Sequence, residues 1–487
     1  MTRPSALKQV CAISLFCLAM TAGATAQTFT MLLDFNGSNG RMPYLSSLIQ
    51  GTDGNLYGVT FEGGVSANCQ AFGITGGCGT IFKMTPDGTL TTIYTFCQQS
   101  GCLDGYIPMG ITLSSNGSFY GTTYAGGAKG QGTIFRITSG GALTTLYSFC
   151  AQSNCADGVI PLAGLIQATD GNWYGTTFGG GNSACSGAYY GCGTVFRMTP
   201  AGQFTTLYTF PSSGNPAAGL IQSRDGNLYG TTTGNPSNAG FSTIFKISLS
   251  GTFTTVYRFG YAADVYDGLV QGTDGNFYGT TAEGGNVTKC ALYGCGTVFK
   301  MTPTGTLTTI YNFCSAANCT DGAIPFSPLI QATDGNFYGM TNGDGYGPGT
   351  VFSISAGGAL STLQAFDGTN GAGSYCGFLQ RTDGVLYGMT TYGGPSNAGV
   401  VFSLDVGLQP FVSFVRSFGK IGATVEILGQ GFTGASAVSF NGTPTTYSIK
   451  SDTYLTATVP SGATTGFVSV ATPGGTFTSN RQFQVKP

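Results

Sequence analysis

Histidine is missing altogether from these 487 residues, and several chemistries go with it. No Ser-His-Asp or Cys-His nucleophile can be assembled, and no imidazole is present to hold zinc. Charge is scarce as well, at 8% of residues with a net charge of −2. No basic stripe is present, so no nucleic-acid partner is expected. Beyond residue 26 no apolar run reaches the roughly 20 residues that a membrane-crossing helix needs, so no membrane span is expected in the mature chain. No cofactor and no metal site is expected either.

Glycine, by contrast, is abundant at 81 residues, beside 41% hydrophobic residues. Such a composition alone would fit low complexity, but the patterning is that of a packed β protein. The stretch Leu165 to Thr177, LIQATDGNWYGTT, has seven versions, beginning at Leu48, Ile111, Leu165, Leu220, Leu269, Leu329 and Leu379. Six carry Asp-Gly at the centre, starting at Asp53, Asp170, Asp225, Asp274, Asp334 and Asp383; the second carries Asn116-Gly117. These pairs between apolar runs signal tight hairpins, here expected as type I′ turns with positive φ at both central residues. Asn116 keeps the turn while dropping the carboxylate, which favours a turn role for the aspartates over calcium ligation.

A Gly-rich loop follows each hairpin, then Gly-Thr-Ile/Val-Phe as in Gly79 to Phe82, a turn, and an alternating strand such as Leu90 to Phe96. Each unit is therefore four short antiparallel strands, with central residues 49 to 63 positions apart. That period suits a propeller blade. The seventh copy ends at Leu404 without its fourth strand, whereas Phe29 to Phe35 has that strand's pattern and no hairpin before it. The count balances if the N-terminal strand completes the last blade, which leaves no terminal edge exposed. The expected fold is all-β: a seven-bladed β-propeller over 27–407, closed by its N-terminal strand.

The Asp-Gly-Asn-(Leu/Phe/Trp)-Tyr-Gly-Thr-Thr, Gly-Thr-(Ile/Val)-Phe-(Lys/Arg)-Met-Thr-Pro and Leu-Thr-Thr-Leu-Tyr-Thr-Phe elements resemble the GloVer (Gloeo/Verruco) tandem repeat of secreted bacterial proteins. They are more distantly similar to the propeller repeats of bacterial sensors. This resemblance implies architecture and export, and brings no catalytic motif.

Residues 1–26 read as a secretory signal: Arg3 and Lys8, an apolar run from Val10 to Met20, and a small-residue site at Ala24 to Ala26. The protein is thus expected to be secreted or cell-surface. Removing the signal takes away two basic residues and brings the net charge to −4. Of 15 cysteines, Cys11 and Cys17 leave with it. Twelve of the remainder fall into close pairs: Cys69/Cys78, Cys97/Cys102, Cys150/Cys155, Cys185/Cys192, Cys290/Cys295 and Cys314/Cys319. In an exported chain these read as disulfides. Cys376 is left over as a buried free thiol.

Every pair lies between the second and third strands of a unit or between one unit and the next, and those connections share one rim. The Asp-Gly turns occupy the other. One face is therefore short and repetitive, and the opposite face carries variable loops, where binding usually resides.

Residues 408–487 lack both the repeat and cysteine. Their strand and turn pattern is that of a small sandwich. The elements Ile427 to Phe432 and Thr458 to Val470 resemble an IPT/TIG immunoglobulin-like domain, which implies a spacer or interaction module.

On the variable face, Asp104, Asp157 and Asp321 each precede glycine and read as turn formers. Glu62 and Glu283 occupy matching positions in the first and fifth units, too far around a ring for a glycosidase pair unless both loops fold inward. The aromatic residues Phe61, Tyr106, Tyr124, Phe178, Tyr189, Tyr190, Tyr293, Tyr346 and Tyr392 fall in or beside the same loops. With Glu62 and Glu283 they form the candidate ligand-binding set, since aromatic faces stack on sugar rings while polar neighbours bind hydroxyls. The bland alternative is that they pack beneath their own glycine-rich loops.

These features lead to a non-catalytic binding protein, with a polysaccharide or a cell-surface protein as partner. Two alternatives stand beside it: a structural or adhesion spacer of the cell envelope, and a carboxylate-dependent glycan hydrolase or lyase.

Overall fold

The structure is a computed structural model that describes residues 27–64, 67–70, 74–181, 191–211, 214–234, 241–260, 264–290, 294–343 and 347–486. Strand β1 (Thr28–Asp34) is followed by β2 (Ile49–Gln50), β3 (Leu56–Thr60), β4 (Thr80–Met84) and β5 (Leu90–Thr95). The last four pair antiparallel in chain order as sheet one. Five more four-stranded sheets of the same order follow, ending with the strand Leu360–Ala365. A seventh holds Leu379–Gln380, Leu386–Thr390, Val400–Asp405 and, as its outer member, β1. The described residues are thus an all-β, propeller-like succession of four-stranded sheets.

The repeat motif explains each sheet locally. Every residue of β3 is buried and all but one of β4, whereas β5 is partly exposed along its length. The two inner strands are covered on both faces by neighbouring sheets. Gly58 pairs with Phe82 across β3 and β4, and a Cβ at Gly58 would stand 2.5 Å from the Phe82 ring. The same contact recurs at Gly175 with Phe196 and Gly279 with Phe299, so the recurrent Tyr-Gly and Gly-Thr-Ile/Val-Phe elements are two halves of one packing device.

The Asp-Gly turns differ from the expected type I′. In sheet one the Gly54 N–H donates to the Gly51 carbonyl (3.1 Å) and the Gly51 N–H to that of Asn55 (2.8 Å). Gly54 has φ +78°, while Asp53 is not among the residues at positive φ. This is a three-residue loop: a type I turn closed by a left-handed glycine. Asp53 selects it by accepting from the Asn55 N–H (3.2 Å), the Asn55 amide (2.8 Å) and the Tyr57 hydroxyl (3.0 Å). Lys83 adds an ion pair at 2.7 Å. The carboxylate holds the turn.

Neighbouring sheets are clamped by the glutamine of the same motif. Gln222 accepts the N–H of Thr169 (2.9 Å) and donates to its hydroxyl (3.1 Å), crossing from one sheet to the turn of the preceding one. Gln331 does this to Thr273, and Gln380 to Thr333. Gln50 does it to Thr382, joining the first sheet to the last at 3.0 and 2.9 Å. Gln331→Leu is expected to lower unfolding stability by about 1 kcal/mol, the net worth of such contacts. An unchanged midpoint in chemical denaturation would show that the clamp contributes nothing.

Sheet two carries Leu113 at the glutamine position, and there the C-terminal segment docks. That segment forms two four-stranded sheets and a strand pair around its own core, including Val425, Ile427, Phe432, Leu455, Val468 and Phe483. Val415 packs on the cluster containing Leu113 and Ile111. Thr382 donates to the Gly429 carbonyl (3.2 Å) and accepts from Gln430 (2.9 Å), while the Phe411 N–H reaches the Thr382 carbonyl at 3.0 Å. A cavity of about 310 Å³ lies at this junction, lined by Ile49, Leu113, Leu379, Phe414 and Val415 among others. The module thus sits on the turn side of sheets seven, one and two.

Candidate functional site

The opposite, variable-loop side is stiffened first by disulfides. Cys69–Cys78, Cys97–Cys102, Cys150–Cys155, Cys290–Cys295 and Cys314–Cys319 are all formed. Cys192 is also disulfide-bonded, and its expected partner Cys185 lies outside the described residues. Cys376 is free and buried, its thiol pushed up to about 12 by that burial. Disulfides persist in oxidising compartments, and this number points to an extracellular protein. Among the described residues no helix is long and apolar enough to cross a membrane.

The aspartates of these loops are structural. Asp104 is fully buried and accepts from the Tyr94 hydroxyl (2.7 Å) and the N–H groups of Gln98 (2.9 Å) and Gln99 (3.1 Å). Asp157 repeats this with Tyr147, Ala151 and Gln152, and Asp321 with Tyr311 and Ser315. Burial, reinforced by the accepting carboxylate, raises the Tyr94, Tyr147 and Tyr311 hydroxyls. These groups are committed to shaping loops.

Other side chains converge. Tyr266, Phe326 and Tyr375 each stand eight residues before the central aspartate of a hairpin, namely Asp274, Asp334 and Asp383. This places them on the connections into the innermost strands of sheets five, six and seven. Tyr44 lies on the matching connection between β1 and β2. Ring centroids run Phe61 to Tyr44 at 5.4 Å, Tyr44 to Tyr375 at 4.7 Å, Tyr375 to Phe326 at 5.1 Å and Phe326 to Tyr266 at 5.2 Å. Five rings from four sheets therefore form one continuous arc. Tyr266 is 37% exposed and nearby Tyr392 40%.

Carboxyls crowd the sheet-five end. Burial, and then the charge of Asp264, push Glu283 up to about 7. Asp264 is itself raised by burial, although it accepts from the Ser242 hydroxyl at 3.1 Å and from Tyr266. Asp267 is 4% exposed, accepts from Thr280 at 3.3 Å and is pushed up to about 8 by burial. Burial raises the Tyr44 hydroxyl, followed by Tyr375, Tyr392, Tyr266 and Asp267, so these groups share one space around it.

Asp267 yields a pH prediction. A carboxyl whose folded pKa lies above its ordinary 3.8 costs folding nothing below about pH 4, and stability is lost as pH rises toward 8. Asp267→Asn keeps an acceptor for Thr280 and removes the ionisation. The variant is expected to match the parent near pH 4 and exceed it by on the order of a few kcal/mol at pH 8. Thermal melts across that range check it; parallel curves would refute the buried, protonated carboxyl.

Of the candidate residues the arc contains Phe61, while Tyr392 and Glu283 act on its Tyr44 and Tyr266 members. Glu62 is neutralised by Arg41 at 3.1 Å, and Asp264, not Glu62, is the carboxyl that acts on Glu283. Tyr106 and Tyr124 interact with each other in sheet two, and Phe178 is half-buried in sheet three. Tyr189, Tyr190, Tyr293 and Tyr346 lie outside the described residues. Tyr44, Tyr266, Phe326, Tyr375, Asp264 and Asp267 were not in the candidate set. Aligning the residues that precede each hairpin would have found three of the rings, because the corresponding positions elsewhere hold Leu45, Pro108, Leu162 and Ala217.

The profile of the Gloeobacter/Verrucomicrobia repeat matches residues 15–187, 68–291 and 262–456, overlapping ranges that take in most of the chain. The chain belongs to the Gloeobacter/Verrucomicrobia repeat family. In this Gloeobacter/Verrucomicrobia repeat protein the aspartate, glutamine, glycine and phenylalanine of the motif are all spent on turn, clamp and packing, so the arc arises from positions outside it. No curated protein matches the sequence. Among solved structures, a protein of unknown function from Bacteroides thetaiotaomicron aligns at TM-score 0.41 and 12% identity, over 78% of this chain and 76% of its own. A PQQ-bound aldose sugar dehydrogenase from Streptomyces coelicolor aligns at 0.39 and 15%, over 78% and 98%. A gluconolactonase from Xanthomonas campestris aligns at 0.39 and 11%, over 78% and 90%. At such values these likenesses carry no argument about activity.

Proposed function

We propose that the chain is an exported, non-catalytic binding protein: a seven-bladed β-propeller closed by its N-terminal strand, followed by an immunoglobulin-like module of the IPT/TIG type. Residues 1–26 serve as the export signal. The β1 pairing with Val400–Asp405 and the Gln50 clamp on Thr382 support closure. The ligand is a polysaccharide held across the variable-loop face. One observation carries this reading: the continuous five-ring arc, partly exposed, two of whose members, Phe61 and Phe326, stand on connections closed by the Cys69–Cys78 and Cys314–Cys319 disulfides. Rigid aromatic surfaces with acceptors at their edge stack on sugar rings and hydrogen-bond their hydroxyls.

The hydrolase reading draws support from one feature, the Glu283 and Asp264 pair, in which one carboxyl stays protonated near neutrality beside another acid. Incubating the purified protein with a panel of insoluble polysaccharides, and measuring both its retention and the sugar released, separates the two. Retention without release is the expected result. Released sugar that disappears in Glu283→Gln would establish hydrolysis, and the absence of retention on any polysaccharide would end the binding reading.

A further inference from the structure

The charge balance along the arc narrows the ligand further, an inference that rests on the binding reading above. Glu62 and Glu283 occupy equivalent places in sheets one and five, where the Phe61 N–H donates to Met42 and the Ala282 N–H to Asp264. Beside Glu62 stands Arg41, which neutralises it. In sheet five the sequence has Ala263 where Arg41 would fall, and Asp264 follows it. Glu283 therefore meets a second acid where its counterpart meets a cation. Among the described residues neither carboxyl has a lysine or arginine in the groups that shift it; those groups are Asp264 for Glu283, and Ser242, Gly234 and Tyr266 for Asp264.

A second observation points into the same space. Asp267 is buried to all but 4%, and only one of its carboxyl oxygens has a hydrogen-bond partner among the described residues, the Thr280 hydroxyl. It lies close enough to act on the Tyr44 hydroxyl, as do Tyr266, Tyr375 and Tyr392. The site thus has aromatic faces, uncompensated carboxyls and an unused acceptor. A uronic or sulfated sugar would be repelled, and a neutral sugar would leave the acids unpaired. An ammonium group satisfies both parts, lying against aromatic rings by cation–π attraction and against the acids as counter-ion.

We infer that the arc binds a polysaccharide bearing protonated amines, of the glucosamine type, with an ammonium seated between Glu283, Asp264 and the Tyr266 ring. The rings give the site the extent of several sugar units, which is why the sugar polymer is preferred to a cationic peptide.

Calorimetry of the full chain at pH 6 in 0.15 M salt, with hexaglucosamine and its fully N-acetylated counterpart as probes, tests this. Hexaglucosamine is expected to bind at least tenfold more tightly. The advantage is expected to vanish in Glu283→Gln/Asp264→Asn and to persist in the charge-matched control Asp87→Asn/Asp405→Asn, with circular dichroism confirming that each folds. A cation stabilises ionised Glu283, so binding releases protons from the parent and not from the double variant. Equal or tighter binding of the N-acetylated hexamer would overturn the inference and leave the polysaccharide reading standing. Equal loss in the control, or equally tight binding of hexalysine, would also overturn it. If neither hexamer binds and no polysaccharide of the panel retains the protein, the broader reading falls with it.

Discussion

A chain lacking residues 28–34 is expected to lose cooperative folding or to assemble through its open edge. β1 pairs antiparallel with Val400–Asp405, from Thr28 opposite Asp405 to Asp34 opposite Val400, with one shift of register between Met31 and Leu33. Phe29 stacks on Phe402 at 5.0 Å and meets Phe366 at 6.3 Å, while Leu32 and Leu33 pack on the cluster that joins the first and last sheets. Removing the strand uncovers that apolar surface and leaves Val400–Asp405 with unpaired backbone groups, a template for intermolecular pairing. Each half-buried aromatic or leucine lost accounts for about 2 kcal/mol, which together consumes much of an ordinary stability margin. The milder Phe29→Ala/Leu33→Ala is expected to cost about 3 to 4 kcal/mol in chemical denaturation. A truncated chain that stays monomeric and unfolds at the parent's midpoint would show that closure by this strand is unimportant.

Phe326→Ala/Tyr375→Ala is expected to reduce retention on the best-bound polysaccharide at least tenfold with little change in the fold. The two rings are central members of the arc, 5.1 Å apart, and both are half-buried connections rather than members of the sheet core. Loss of two stacking surfaces is worth about 2 kcal/mol or more at such an interface. The single variant Tyr124→Ala, in sheet two and outside the arc, is expected to bind as the parent does. Were Tyr124→Ala to abolish retention and the double variant to keep it, the contact surface would lie over sheet two.

The candidate site was only partly legible in sequence, for a definable reason. Phe61, Tyr392 and Glu283 were found because they follow the hairpin and so fall in loops that vary visibly. Tyr266, Phe326 and Tyr375 precede it, next to a buried apolar residue, and nothing in the local pattern sets them apart. They are 60 and 49 residues apart in sequence and meet only because the connections into successive inner strands converge. Asp267 has the same aspartate-glycine appearance as Asp104 and Asp157, yet those two accept backbone N–H groups from a tight loop, while one oxygen of Asp267 has no hydrogen-bond partner among the described residues.

Residue order by itself determined the unit: alternating aromatic, β-branched and threonine residues between glycines make four strands, and a lone N-terminal strand pattern supplies the missing partner of the last. Such information is local and periodic, so it survives in one dimension. The turn type, the glutamine clamps, the seating of the C-terminal module over Leu113 and the meeting of the arc with its uncompensated acids were decided in three dimensions. Each depends on distances between different units, and repetition conceals such differences, because residues that look equivalent in sequence acquire distinct neighbours once the sheets are packed around one another.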